Sequence, residues 1–369
     1  MKKIKTFLKI FLVRIVFFLY KPFKKKVRET KNVLIISMTG LGDTLWATPA
    51  IKALKENEPG TKIFVLTHEV GEQILKNSPY IEKFIVWKKP FILHFFSLLS
   101  LRKTPFSKVF VFHISQRIAL ILLGFLQAKE IIGQEKINKG MDFLFTKLLS
   151  TKKVHEINRR LGQVGYFPKS SKLEFFLKED ERAKAKLFLL SLGIDLKKPL
   201  ILIHPGSKDR YRCYPIEKLI KAAKEIQKNF SAQFYISGCN EEKDLIDPLY
   251  ENILGSFISP SALSIREFAA VMENADLVIT NDTGPMHLAC SVDVFLIALF
   301  SPSDPAIKGP ISKKGHILYG RRSCRKCYER KCLEPFCLYQ IPVHDIVVKT
   351  TQILETSYES KSRHHLSQL

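Results

Sequence analysis

Short apolar runs alternate with amphipathic segments along most of the chain. Residues 33–37 form an apolar run of strand length, and 43–57 place Trp46, Ala50, Ile51 and Leu54 at helical spacing. A Pro59-Gly60 turn leads to a second strand at 62–67, with further strands predicted at 84–87 and 108–113. The pattern weakens between Gly140 and Lys178, then resumes with a helix over 179–192 and a turn-rich boundary at 193–199. A second alternation follows: strands at 200–203, 233–237, 277–280 and 295–300, with helices at 215–228, 264–274 and 285–291 between them. A last helix, 344–358, is expected to pack back onto the first half. Strands alternating with helices imply parallel sheets covered on both faces, so the chain reads as α/β with two doubly wound halves. The run from Phe91 to Leu101 is unusually apolar for a connection, and reads as a buried crossover helix or a membrane-facing patch.

Three turns at strand ends carry the candidate chemistry. Gly40-Leu41-Gly42-Asp43 follows the first strand and opens a helix. Such a turn presents backbone N–H groups and the positive end of a helix dipole, which suits an anion. Asp43 could take a proton from a hydroxyl nucleophile or cap the helix, and spacing leaves both readings open. Asn281-Asp282-Thr283-Gly284-Pro285-Met286-His287 repeats the arrangement in the second half. Its Thr283 hydroxyl and amides suit a diphosphate, Gly284 permits close approach, and Pro285 suits a first helical turn. Asp282, repelled by phosphate, fits sugar hydroxyls or a cap, and His287 fits a packed position or a catalytic one. The third turn, His204-Pro205-Gly206-Ser207, precedes Lys208, Arg210 and Arg212, which would neutralise a departing diphosphate or form a solvated basic loop. No Asp-x-Asp pair occurs in the chain, which favours chemistry without a divalent metal.

Charge adds a partner. The 59 Lys and Arg residues outnumber 35 Asp and Glu, a net charge of +24. That excess suits an anionic membrane or phosphorylated substrate, and no RNA- or DNA-binding signature accompanies it. Residues 7–20 are apolar but broken by Lys9 and Arg14, with Lys21, Lys24, Lys25, Lys26 and Arg28 behind them. The run is short for a membrane span, and is expected to lie at an anionic surface as a peripheral anchor; a single span and a signal-like or packed helix are the alternatives. Cys213, Cys239 and Cys290 read as small apolar residues, and nothing resembles a secreted disulfide scaffold. Cys324, Cys327, Cys332 and Cys337 are spaced as a compact set suited to structural Zn²⁺; redox-active thiols and disulfides remain alternatives.

Several motifs, in order, resemble glycosyltransferase family nine, the lipopolysaccharide heptosyltransferase family. They are the opening strand, loop and helix from Leu34 through Gly40-Leu41-Gly42-Asp43 to Ala50; His204-Pro205-Gly206-Ser207 with Arg212-Cys213-Tyr214-Pro215; Ala275 to Ala289; and Ser301-Pro302-Ser303-Asp304-Pro305 with Gly309-Pro310. The resemblance covers roughly residues 31–350 and implies the GT-B fold: two Rossmann-like domains facing a cleft. It implies Asp43 as the general base on the acceptor hydroxyl. The donor sugar nucleotide falls to Ser207, Lys208, Arg210, Arg212, Asp282, Thr283, Gly284, Pro285 and His287. Gly40, Gly42, Thr44 and His113 fall on the acceptor side. Where the family usually carries Lys-Arg-Trp-Pro, this chain has Arg212-Cys213-Tyr214-Pro215, so a planar fork replaces a point charge.

The expected organisation is a membrane-associating segment over 1–30, an acceptor domain over 31–192, a donor domain over 193–343 and a helix with tail over 344–369. The expected activity is inverting, metal-independent transfer of a sugar, with heptose from ADP-heptose as default, to a lipid-linked saccharide at the cytoplasmic face of an inner membrane. Rival readings are a sugar-nucleotide 2-epimerase and a non-catalytic, membrane-tethered nucleotide- or glycan-binding protein.

Overall fold

A computed structural model describes residues 14–15, 17–18, 27, 29–87, 101–114, 120, 122–135, 137–138, 140–150, 153–321, 332 and 336–366. The chain divides into two compact units, Met1–Ser171 and Lys172–Leu369.

The first unit is built on β1 (Asn32–Met38), β2 (Lys62–His68), β3 (Ile81–Trp87), β4 (Pro105–Ile114), β5 (Gln127–Gln134) and β6 (Lys147–Leu149). All pair in parallel, in the order β3-β2-β1-β4-β5-β6. β1 is central, and Leu34, Ile35 and Ile36 are fully buried, which explains its unbroken apolar run. The single helix expected over 43–57 is two: α1 (Leu41–Leu45) and α2 (Thr48–Asn57). Pro49 has no N–H to give Leu45 O, and the Thr48 hydroxyl bonds that carbonyl instead, at 2.9 Å. α3 (Glu69–Leu75) packs against α1, and α4 (Glu156–Val164) against α2. Gly165 ends α4 in the left-handed conformation, φ 84°.

The second unit repeats the plan. Its strands are β7 (Leu200–His204), β8 (Gln233–Ile236), β9 (Ser256–Ile258), β10 (Leu277–Asn281), β11 (Phe295–Phe300) and β12 (Gly315–Tyr319). They too are parallel, in the order β12-β11-β10-β7-β8-β9. Counted from its own first strand, each sheet therefore runs 3-2-1-4-5-6, the order of dinucleotide-binding folds. The direction of winding reverses between β1 and β4, and again between β7 and β10. Ligands of such sheets bind outside the carboxyl ends of the strands at that reversal. The helices are α5 (Glu179–Ser191), α6 (Ile216–Asn229), α7 (Lys243–Asn252), α8 (Ile265–Glu273), α9 (Gly284–Ser291), α10 (Pro305–Lys308), α11 (Phe336–Tyr339) and α12 (Val343–Leu366).

Two boundaries differ from expectation. The units divide at 171/172, not at 192/193, and α5 belongs to the second. Arg182 binds the Glu273 carboxylate at 2.8 Å, and Arg266 clasps Glu181 and the Phe176 carbonyl, fastening α5 to α8. The C-terminal helix α12 lies along α6, with Ile346, Ile353 and Leu354 inside the second core, so it is part of that unit. Near the N-terminus, Phe17 packs on Phe143 of the first unit with ring centroids 5.7 Å apart. No helix among the described residues is long and apolar enough to cross a membrane. Most of the proposed anchor and of the apolar 91–101 run lies outside the described residues; Leu101 is buried.

Candidate functional site

In the second unit, two turns meet at the β7/β10 reversal. Asn281, at the end of β10, is the clasp between them. Its Nδ2 donates to Pro205 O at 2.7 Å, and its Oδ1 accepts from the Tyr214 N–H at 2.9 Å. This fixes the 205–207 turn relative to the 210–214 turn. Asp282 follows, with a side chain only 5% exposed and paired to Arg212 at 3.4 Å. Asp282 caps no helix: Thr283 is the N-cap of α9, and no side chain bonds the helix start. Pro285 is in the first turn, Thr283 and Gly284 are half-buried, and His287 is buried one turn in. The uncapped start of α9 and the Arg212 guanidinium together offer a seat for an anion.

The predicted cations separate. Arg212 stands at Asp282, and its Nε makes no hydrogen bond. Arg210 instead turns to Asp244 at 2.6 Å, and that hydrogen bond raises its pKa. Lys208 is exposed and Ser207 half-buried on the same turn. Beside them lies an open pocket of about 570 Å³ at the carboxyl ends of β7, β8 and β9. His204, Ser237, Glu242, Ile258, Phe268 and Pro285 are among its walls. The His204 Nδ1 lies 3.1 Å from the Ser237 hydroxyl; burial lowers its pKa, with Glu242 opposing, so the ring is neutral at pH 7. Glu242 accepts from the Cys239 N–H at 3.0 Å and lies against Gly206. An acidic side chain just past the second strand of such a sheet is placed for ribose hydroxyls. Asn281, Glu242 and Phe268 were not among the predicted site residues. The position of Glu242 after the second strand was the available signal.

In the first unit, the loop after β1 brings a carboxylate to the β1/β4 reversal. Gly40 is the N-cap of α1 and faces open space. Gly42 is half-buried, and Thr44 is buried with its hydroxyl on Gly40 O at 3.1 Å. Asp43 lies in the first turn of α1 and caps nothing, leaving its side chain 33% exposed. Its oxygen stands 3.4 Å from Nη2 of Arg160, on α4. The α4 segment falls where the sequence pattern weakened, so Arg160 was missed, although Ile157, Leu161 and Val164 have helical spacing. His113 is in β4, opposite Ser37 of β1.

Of the cysteines, Cys213 and Cys290 are buried, and burial pushes their thiols up to about 11 and about 12. Cys239 does not behave as a core residue; it is exposed on the turn after β8, where the backbone leaves the sheet. Cys324 and Cys327 lie outside the described residues, while Cys332 is half-buried and Cys337 is buried in α11. No group of three metal-binding side chains occurs among the described residues.

Two sheets of this order, with glycine-containing turns at both reversals, define a GT-B-type α/β protein. The chain belongs to glycosyltransferase family 9 (heptosyltransferase), whose family model matches residues 152–337, and it is a glycosyltransferase. It is 26% identical over 291 residues to lipopolysaccharide heptosyltransferase 1 of Campylobacter coli, covering 73% of this chain and 83% of that one. The crystal structure of a family 9 glycosyl transferase from Veillonella parvula has a similar fold, at TM-score 0.78 and 22% identity, covering 89% of this chain and 99% of that one. The structure of Escherichia coli ADP-heptose lps heptosyltransferase II is also similar, at TM-score 0.73 and 15% identity, with coverage of 89% and 99%.

Proposed function

We propose that this enzyme transfers heptose from ADP-heptose to a lipopolysaccharide-core acceptor in one inverting displacement. The observation that carries the reading is the contrast between two carboxylates: Asp43 is one-third exposed and caps nothing, while Asp282 is buried against Arg212. In the proposed reaction Asp43 takes the acceptor hydroxyl proton as that oxygen attacks the anomeric carbon. The bond from that carbon to the β-phosphate oxygen breaks on the opposite face, and ADP leaves. The positive end of the α9 dipole, with Arg212, stabilises the charge that builds on the leaving diphosphate. Arg212 supplies a fixed charge where such reactions often use a divalent cation, so turnover is expected to survive chelation. The nucleoside occupies the pocket beside β8, with Glu242 on the ribose hydroxyls. Donor and acceptor identities are supported by the relatives' names, ADP-heptose lps heptosyltransferase II among them. The net charge of +24 and the basic N-terminal segment support work at an anionic inner-membrane surface on its cytoplasmic face.

The test is mass analysis after incubation with ADP-heptose and heptose-deficient core lipid, with and without EDTA. One added heptose per lipid, unaffected by EDTA, is expected. Donor consumed with no lipid product, or no turnover with EDTA, would contradict the reading.

A further inference from the structure

Arg160 is nearly inaccessible, its side chain 1% exposed, yet it reaches outward to a carboxylate that is open to solvent. Nη1 donates to Glu156 O at 2.9 Å and Glu156 Oε2 at 3.0 Å, one turn back on α4. The guanidinium carbon stands 5.3 Å from the centre of the Trp46 ring. Nη2 is left to face Asp43 at 3.4 Å. Asp43 and Trp46 are three residues apart, so one guanidinium spans both on the same side of that turn. Glu156 and its carbonyl already satisfy one end of the fork, and packing fixes its plane. Glu156 Oε1 is also taken by Arg159 Nη1, so that one carboxylate serves two guanidiniums, and Asp43, one-third exposed, is the second carboxylate within reach of Arg160.

We propose that Arg160 is a positioning residue for Asp43, a role that rests on the reading of Asp43 as the base. It holds the carboxylate in one rotamer through a charge-assisted hydrogen bond, leaving the second oxygen for the acceptor hydroxyl. Misplacing a reacting group by about 1 Å can cost about 100-fold in rate, so the effect should be large although Arg160 touches no substrate.

The experiment is a double-mutant cycle on turnover with the full chain. Arg160→Met should lower kcat about 10- to 100-fold while donor KM moves less than about threefold. Arg160→Lys, which keeps the charge and a donor, should restore part of that loss. In the Asp43→Asn background the same Arg160→Met change should cost less than about threefold more, because the group it positions is gone. Donor binding by calorimetry and the Tm of each variant establish that the protein is folded; if Arg160→Met does not fold, Arg160→Lys carries the cycle. An equal loss in both backgrounds would overturn the proposal while leaving Asp43 as base. An unchanged kcat in a folded Arg160 variant would do the same. Full activity in Asp43→Asn alone would overturn both readings.

Discussion

The two units share one topology and use it in opposite ways. At the reversal in the second sheet the carboxylate is withdrawn: Asp282 is buried, tied to Arg212, and leaves the uncapped start of α9 as the outward feature. At the reversal in the first sheet the carboxylate is the outward feature: Asp43 is part of the first turn of α1 and is held from behind by Arg160. Each aspartate has an arginine, but the burial is inverted. Arg212 is the more exposed partner of its pair, and Arg160 the buried partner of the other. An exposed cation beside a helix start suits an anion to be held; an exposed carboxylate backed by a cation suits a proton to be taken.

Substitutions at each end can break that contrast. The largest expected effect is Asp43→Asn, with a loss of about 10²- to 10⁴-fold in kcat at unchanged donor affinity, read from initial rates and calorimetry. Next is Arg212→Ala. Loss of a charge-assisted contact, worth about 1.5–3 kcal/mol, should weaken the donor about 10- to 100-fold by calorimetry. A smaller effect, on stability alone, is expected where α1 passes into α2. Thr48→Val removes the hydroxyl that replaces the missing Pro49 donor and should cost about 1 kcal/mol in denaturant unfolding.

The smallest effect concerns the edge of the first unit away from the reversal. Burial pushes the Glu58 carboxyl up, but hydrogen bonds from Lys108 at 3.0 Å and Tyr166 at 2.9 Å outweigh it, so its pKa is lowered. A carboxylate held below its ordinary value of 4.5 stabilises the fold above that pH, and the contribution is lost as pH falls through the folded value. Lys108→Met should therefore lower stability by up to about 1 kcal/mol at pH 7 and by less in acid, measured as Tm against pH.

The central strands were legible because burial on both faces demands unbroken apolar runs, as in Leu34-Ile35-Ile36 and Val278-Ile279. Of the outer strands, β3 was legible at 84–87, but β5, β6, β9 and β12 were not. β5 reads Gln-Ala-Lys-Glu before its two isoleucines, and β6 and β9 are three residues each, too short for a pattern. The three ligand turns were visible as Gly-containing strand ends. What they do with their carboxylates was not, since Asp43 and Asp282 differ by a long-range partner on another element. α4 was not legible because Asn158, Arg159, Arg160 and Gly162 dilute its apolar pattern, although Arg160, three residues from Ile157 and four from Val164, lies on its buried face. That α5 belongs to the second unit was not legible either, since it packs on α8, with the Arg182–Glu273 and Arg266–Glu181 pairs joining residues far apart in the chain.

The most direct measurement is donor binding set beside turnover for Asp43→Asn and Asp282→Asn. A crossover is expected: Asp43→Asn binds ADP-heptose within about threefold of the parent but turns over at less than about a hundredth of its rate, while Asp282→Asn, which leaves Arg212 paired to Asp209 alone and loosens the turn, loses donor affinity. An Asp43→Asn enzyme that keeps more than about a tenth of parental turnover, or an Asp282→Asn enzyme with parental donor affinity and a lost kcat, would contradict it.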